Sequence, residues 1–186
     1  MIKIIDVKEM LAQALIEIAR QKPVDKITVN DIVNRCNTSR RTFYNHFIDK
    51  YELISWVYTS RVEKILSCFE NSDTWEKCMY MTYQALLDNQ DYFSMVIDHE
   101  GQNSFYQTFV THTYDYMRDI ILAKLGIPTL PEEIDYALTA HVFGQVNCAM
   151  KWLHEGTVIS PQQMAAYNVM NMPEIIREYF LEGNQK

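Results

Sequence analysis

A chain of 186 residues, 48% hydrophobic and 22% charged, carries enough apolar material to bury one or two cores, which excludes a disordered protein. No run approaches the roughly eighteen apolar residues of a membrane span, and the opening MIKIIDVKEML is too short and too charged for a secretory leader, so a soluble cytoplasmic protein with no membrane partner is expected. The net charge of −7 is unevenly divided, with eleven Lys and Arg against eight Asp and Glu in residues 1–64 and six against sixteen in residues 65–186, so the first third is the end suited to phosphates and the remainder is not.

Taken in chain order, the elements are helical. Val7, Met10, Leu11, Ala14, Leu15 and Ile18 recur at the three-and-four spacing of one helical face, with Pro23 beyond its end. A second, shorter face of Val29, Ile32, Val33 and Cys36 follows Thr28, which forms a capping box with Asp31. Asn37 and Thr38 make the turn, since asparagine tolerates the left-handed backbone that ends a helix. Ser39 caps a third helix of about nine residues that turns Phe43 and Phe47 inward. Asp49, with Glu52, caps a fourth helix through Leu53, Val57, Val62, Ile65 and Phe69.

Beyond the polar break Asn71 to Thr74, helices are predicted near Trp75 to Asn89, Asp91 to Asp98 and Ser104 to Leu125, the last stopped by Gly126 and Pro128. A long helix from Pro131 to Glu155 ends at Gly156, and Ser160-Pro161 opens another that Pro173 breaks or kinks before a final segment to Leu181. No strand alternation appears. The expected fold is all-α with about nine helices: a three-helix helix-turn-helix head in residues 1–50, and a helical effector-binding and dimerisation body in 51–186 to which helix 51–70 connects it. The four cysteines, Cys36, Cys68, Cys78 and Cys148, form no CxxC pair, so reduced thiols are expected and no metal or cofactor.

Helix geometry assigns the third helix an outer face. At about 100° per residue, Arg41 and Asn45 lie opposite Phe43 and Phe47, flanked by Thr42 and Tyr44. Arginine can donate twice to guanine, asparagine can pair with the adenine edge, and the threonine methyl can pack on thymine. Arg41 and Asn45 are the candidate base readers, with Arg40 beside them. Thr28, Thr38, Ser39 and Lys50 stand at helix starts where free N–H groups favour an anion, and Tyr44 and His46 can each donate one bond to a phosphate. Taken singly, each reads better as an ordinary surface or packing residue; the caps, turn and inward aromatics together make the segment a DNA reader.

The stretch TVNDIVNRCNTSRRTFYNHFIDKYEL, residues 28–53, resembles the DNA-binding signature of TetR/AcrR-type transcriptional regulators, most specifically in TFYNHF and the following D-K-x-E-L. The match covers about the first sixty-five residues, and it departs at Asn37, where glycine is common. The resemblance implies a DNA-binding head on an all-helical regulatory body, working as a homodimer on a near-palindromic double-stranded DNA operator. HEGQNSFYQTF and WLHEGTVISPQQMA are similar to the C-terminal domain of a subgroup that includes activators of dihydroxyacetone-kinase operons, some of which respond to a protein coactivator.

In the body, Ala140, Gly144 and Cys148 lie four apart on one helical face, where small residues admit a second helix, and Met164 and Tyr167 add apolar surface; two such helices per subunit would form a four-helix dimer interface. Trp75, Met79, Tyr83, Phe105, Phe109, His112 and His141 are the candidate lining of an effector pocket, although each suits a plain core as well. No histidine completes a catalytic motif, so no enzyme is expected. The expected protein is a repressor released by a small-molecule effector. A regulator or activator controlled by a partner protein is the alternative, with a solid core and an exposed patch; a helical interaction protein without DNA affinity is the third reading.

Overall fold

Most helix starts in this chain fall where a side chain can accept a free N–H of the first turn. The computed structural model describes residues 6–70, 74–97 and 105–181, and these hold ten α-helices and no strand: α1 Val7–Ala19, α2 Val29–Arg35, α3 Arg40–Tyr44, α4 Lys50–Glu70, α5 Trp75–Asp88, α6 Gln90–Val96, α7 Phe105–Leu125, α8 Glu132–His154, α9 Pro161–Met170 and α10 Glu174–Leu181. A single 3-10 turn, Val24–Lys26, sits between α1 and α2. Thr28 and Asp31 form the expected capping box, as do Ser160 and Gln163 ahead of Pro161. At α4 the Asp49 carboxylate accepts from the N–H groups of Tyr51 and Glu52 at 2.8 and 2.9 Å.

Asn37 takes a left-handed φ of 50°, and behind it the Thr38 N–H reaches the Val33 carbonyl at 2.9 Å while that of Asn37 reaches Asn34. This is the Schellman closure that glycine usually serves. One expectation needs correction. Helix α3 has five residues, not nine, because the chain leaves the helix after Tyr44 to bury Phe47 beside Trp56, with ring centroids 5.9 Å apart. Pro173 separates α9 from α10, the break in place of a kink, since proline has no N–H to continue the ladder.

The head core joins Leu11 and Leu15 of α1 to Ile32, Phe43, Phe47 and Leu53. The buried face of α1 is broader than predicted and includes Ala12, Ile16 and Ala19. Helix α4 belongs to both parts. Arg61 pairs with Glu9 of α1 at 3.6 Å, Ser55 shares a hydrogen bond with Thr108 of α7 at 2.8 Å, and the buried Tyr58 ring stacks edge and tilt against Phe105 and Phe109 at 5.4 and 4.6 Å. Behind it α5 packs on α9 and α7 on α8, with Trp75 against Phe180 at 4.7 Å.

Candidate nucleic-acid interface

Caps place the outer face of α3. The Ser39 hydroxyl accepts the Thr42 N–H at 3.0 Å, which fixes the rotation of this short helix, and full burial of Phe43 with near-complete burial of Phe47 turns Arg41, Tyr44 and Asn45 to solvent and leaves Thr42 half-exposed. Arg41 and Asn45 make no side-chain bond to any described residue, so their donors and acceptors are available. Arg40 is held differently. Its guanidinium donates to Asn30 Oδ1 on α2 and to the Tyr44 hydroxyl, both at 3.2 Å, and lies 5.6 Å from the Tyr44 ring. The Tyr44 oxygen is thereby an acceptor toward Arg40 and keeps its own proton for an outside acceptor.

The groups expected on phosphates divide. The Thr38 hydroxyl beside the turn and the half-buried His46 bond to no described residue. Thr28 is engaged within its capping box: its hydroxyl donates to Asp31 Oδ2 at 2.7 Å, its N–H donates to the same oxygen, and it accepts from the Asp31 N–H. Lys22 closes that group at 2.7 Å, and these bonds hold the Asp31 carboxyl down at about 2. The Ser39 hydroxyl likewise serves the cap.

Lys50 requires the largest correction. Its ammonium donates to the carbonyls of Val24, Asp25 and Ile27 at 2.8, 3.0 and 2.9 Å, so all three N–H bonds point into the chain and none toward a phosphate. Burial pulls its pKa below the usual lysine range. Asn30, absent from the predicted set, belongs with the interface through Arg40; its signal was the Asn30 and Asn34 pair on the polar side of α2.

In the body, Trp75, Met79, Tyr83, Phe109 and His112 do come together, around a cavity of about 30 Å³. That is room for one water, whereas a ligand pocket occupies roughly 300 to 1,000 Å³. Burial lowers the pKa of His112, and its Nδ1 has no hydrogen-bond partner. Phe105 and His141 are corrections. Phe105 is locked among Tyr58, Phe93 and Phe109, and His141 faces a different hollow, the groove between α8 and α9. There burial pushes its pKa down to about 4.

That groove measures about 740 Å³, and Ala140, Gly144, Cys148, Met164 and Tyr167 all line it. The three small residues are exposed; Tyr167 is half-exposed, and Met164 is buried in its wall. Met170, 64% exposed, adds apolar surface to the groove, and Phe143, 46% exposed, adds more on α8. The segment His99 to Ser104, part of the HEGQNSF resemblance, lies outside the described residues, as does Ser104 at the expected start of α7. No helix among the described residues is long and apolar enough to cross a membrane.

Comparison with known proteins agrees with this architecture. The model of bacterial regulatory proteins of the tetR family matches residues 11–56, and that of a transcriptional regulator C-terminal region matches residues 73–171. The HTH-type dhaKLM operon transcriptional activator DhaS of Lactococcus lactis subsp. lactis (strain IL1403) is 28% identical over 107 residues, covering 55% of this chain and 56% of DhaS. An uncharacterized HTH-type regulator, YxbF of Bacillus subtilis (strain 168), is 20% identical over 180 residues, covering 92% of this chain and 46% of YxbF. The chain spans about half the length of these two curated relatives. Among solved structures, the dihydroxyacetone kinase operon activator DhaS matches with a TM-score of 0.66 at 15% identity, covering 89% of this chain and 93% of that one. A TetR transcriptional regulator from Streptococcus agalactiae 2603V matches with a TM-score of 0.62 at 18% identity, covering 87% and 90%. At these identities the structural likeness is one of fold.

Proposed function

The chain belongs to the TetR family of bacterial DNA-binding transcriptional regulators, and we propose on that footing that it reads a near-palindromic operator as a homodimer under the control of a partner protein. The observation that carries the DNA reading is the outer face of α3, where Arg41 and Asn45 stand exposed and unbonded above the buried Phe43 and Phe47. Arg41 and Asn45 contact base edges, Thr42 packs on a thymine methyl, and Tyr44, His46 and Thr38 donate to phosphates. Arg40 sets the position of Tyr44 from the side.

Dimerisation is supported by the α8 and α9 surface. Small residues at Ala140, Gly144 and Cys148 offer the holes, and Tyr167 and Met170 the projections, on one face; a face that carries both is self-complementary about a two-fold axis. The residues before α4 then act as the DNA-binding head and α5 to α10 as the dimerising body. Two heads must sit about 34 to 36 Å apart to enter successive major grooves, and a controlling partner works by favouring or disfavouring that spacing.

Control by a partner protein is supported by the filled aromatic core, where about 30 Å³ leaves no room for an inducer among those rings, and by the likeness to DhaS, an operon activator by name. A second reading, repression released by a small molecule, is favoured by the unpartnered Nδ1 of His112 at that cavity, a polar group that an effector in an opened core would satisfy. Selection from a pool of random duplexes tests the DNA reading, with enrichment of a two-fold symmetric sequence expected; no enrichment at low salt defeats it. A thermal-shift screen of metabolites then separates the modes of control: no stabilising compound, with a specific protein recovered by pull-down, supports the partner reading, and a saturable upward shift by one compound supports the second.

A further inference from the structure

Lys50 stands where a lysine costs stability. It is the first residue of α4, at the end of the helix dipole that repels a cation. The chain offsets that cost with three backbone carbonyls. Those of Val24, Asp25 and Ile27 converge on the ammonium at 2.8, 3.0 and 2.9 Å, and the side chain also lies 5.0 Å from the Tyr51 ring. The carbonyls belong to the 3-10 turn and its C-cap Ile27, the residue that immediately precedes Thr28 and the capping box of α2. Ile27 and Val24 are themselves buried, so the turn is clamped by apolar packing on one side and by the ammonium on the other. A compact tetrahedral cation suits three oxygens around a point; a planar guanidinium fork does not.

We propose that Lys50 is a positioning residue, which acts on DNA recognition by fastening the turn beneath α2 to the first residue of α4 and thereby setting the angle of the α2 and α3 pair, and not by neutralising a phosphate. The proposal rests on DNA binding by the head. The alternative role makes opposite forecasts, because losing a phosphate contact weakens all sequences alike and flattens the salt dependence by about 0.9 per contact, whereas a tilted α3 loses base contacts and leaves the count of neutralised phosphates unchanged.

The test uses the full chain and the duplex that the wild-type protein enriches from a random pool, with a scrambled duplex as control, titrated from low to high KCl. For Lys50→Met the clasp predicts affinity for the selected duplex lower by at least about tenfold, in line with losing bonds to a charged donor, a smaller loss on the scrambled duplex and an unchanged slope of log affinity against log salt. Lys50→Arg keeps the charge and loses the fit, so it behaves like Lys50→Met; near wild-type affinity for Lys50→Arg overturns the proposal. So do equal losses on both duplexes with a slope flattened by about 0.9 per subunit.

Acetic anhydride labelling read by mass spectrometry needs no variant and serves if either substitution fails to fold. The clasp predicts Lys50 protected in the DNA-free protein and unchanged by DNA, while a lysine reactive when free and protected only on DNA refutes it. A wild-type protein that enriches no duplex sinks the operator reading and leaves the clasp to be judged by the labelling alone.

Discussion

The outer faces of α3 and α8 are both exposed, and they are built from opposite materials. On α3, five residues long, the solvent side carries Arg41 and Asn45 with their hydrogen-bonding groups unpaired. On α8, 23 residues long, the solvent side carries Ala140, Gly144 and Cys148 with Phe143 between them and Tyr136 78% exposed. Unpaired polar groups in water lose nothing until a partner offers better geometry, whereas exposed apolar rings lose free energy continuously, at about 25 cal/mol per Å². The first surface therefore suits a polyanion that comes and goes, and the second a protein surface that stays. The two hollows of the body repeat the contrast, since the one among the aromatics is about 30 Å³ and the one on the α8 and α9 face about 740 Å³.

The contrast breaks most visibly on α8. Gly144→Arg is expected to yield a monomer by sedimentation and to weaken operator binding by at least about a hundredfold, the range by which linked sites exceed single ones; a dimer with unaltered binding would move the interface elsewhere. Gly144→Ala sharpens the point, because no described residue outside its own helical turn lies within 4 Å of the added Cβ. Helix propensity should then stabilise the protomer by up to about 1 kcal/mol, so any weakening of the dimer reports close approach of the second copy.

On α3, Arg41→Ala is expected to cost about 1 to 3 kcal/mol and to relax specificity at one base pair. Gel shifts against singly substituted duplexes read this, and identical losses on selected and random DNA would remove Arg41 from the readers. Next in size is the acid response of the body. Burial holds His141 neutral down to about 4, while the unfolded chain takes up that proton near 6.5. Stability is therefore complete above about pH 6.5 and falls as pH drops toward 4, by on the order of 2 kcal/mol. His112, shifted the same way, adds to the fall. Thermal midpoints of wild type and His141→Gln between pH 7 and 4 check the sign, the variant showing the flatter profile.

The smallest effect belongs to the head. Asp31, held at about 2 by Lys22 and Thr28, contributes stability above about pH 4 that disappears as pH falls through 2. Its side chain is 35% exposed, so solvent screening leaves roughly 0.5 kcal/mol. Asp31→Asn should lower the midpoint slightly at pH 7 and not at pH 2, by calorimetry.

Legibility in the sequence followed the range of the interactions. Caps at Thr28, Ser39, Asp49 and Ser160 were readable because donor and acceptor lie within three residues, and Asn37 because its backbone strain is local. The length of α3 was not, since it ends where Phe47 is drawn to Trp56, nine positions later. The partners of Lys50 lie 23 to 26 residues upstream in a turn with no apolar period. Trp75, Met79, Tyr83, Phe109 and His112 line one cavity because three-and-four spacing finds inward faces. The volume they enclose depends on how α4, α5, α7 and α8 interdigitate, which spacing does not encode. His141 shares a helix with the small residues, and only the angle of α9 decides that it faces the groove.

Helix α4 has one further consequence, a mechanical one. Tyr58, its anchor among the body's rings, lies eight residues from Lys50, about 12 Å along the axis. Were α4 to pivot at that tyrosine by about 10°, its first turn would swing by roughly 2 Å, and whatever is bolted to that turn would swing with it. A displacement of this size is comparable to the tolerance of a base contact, so a slight disturbance among the body's aromatic rings suffices to take the reading helix out of register.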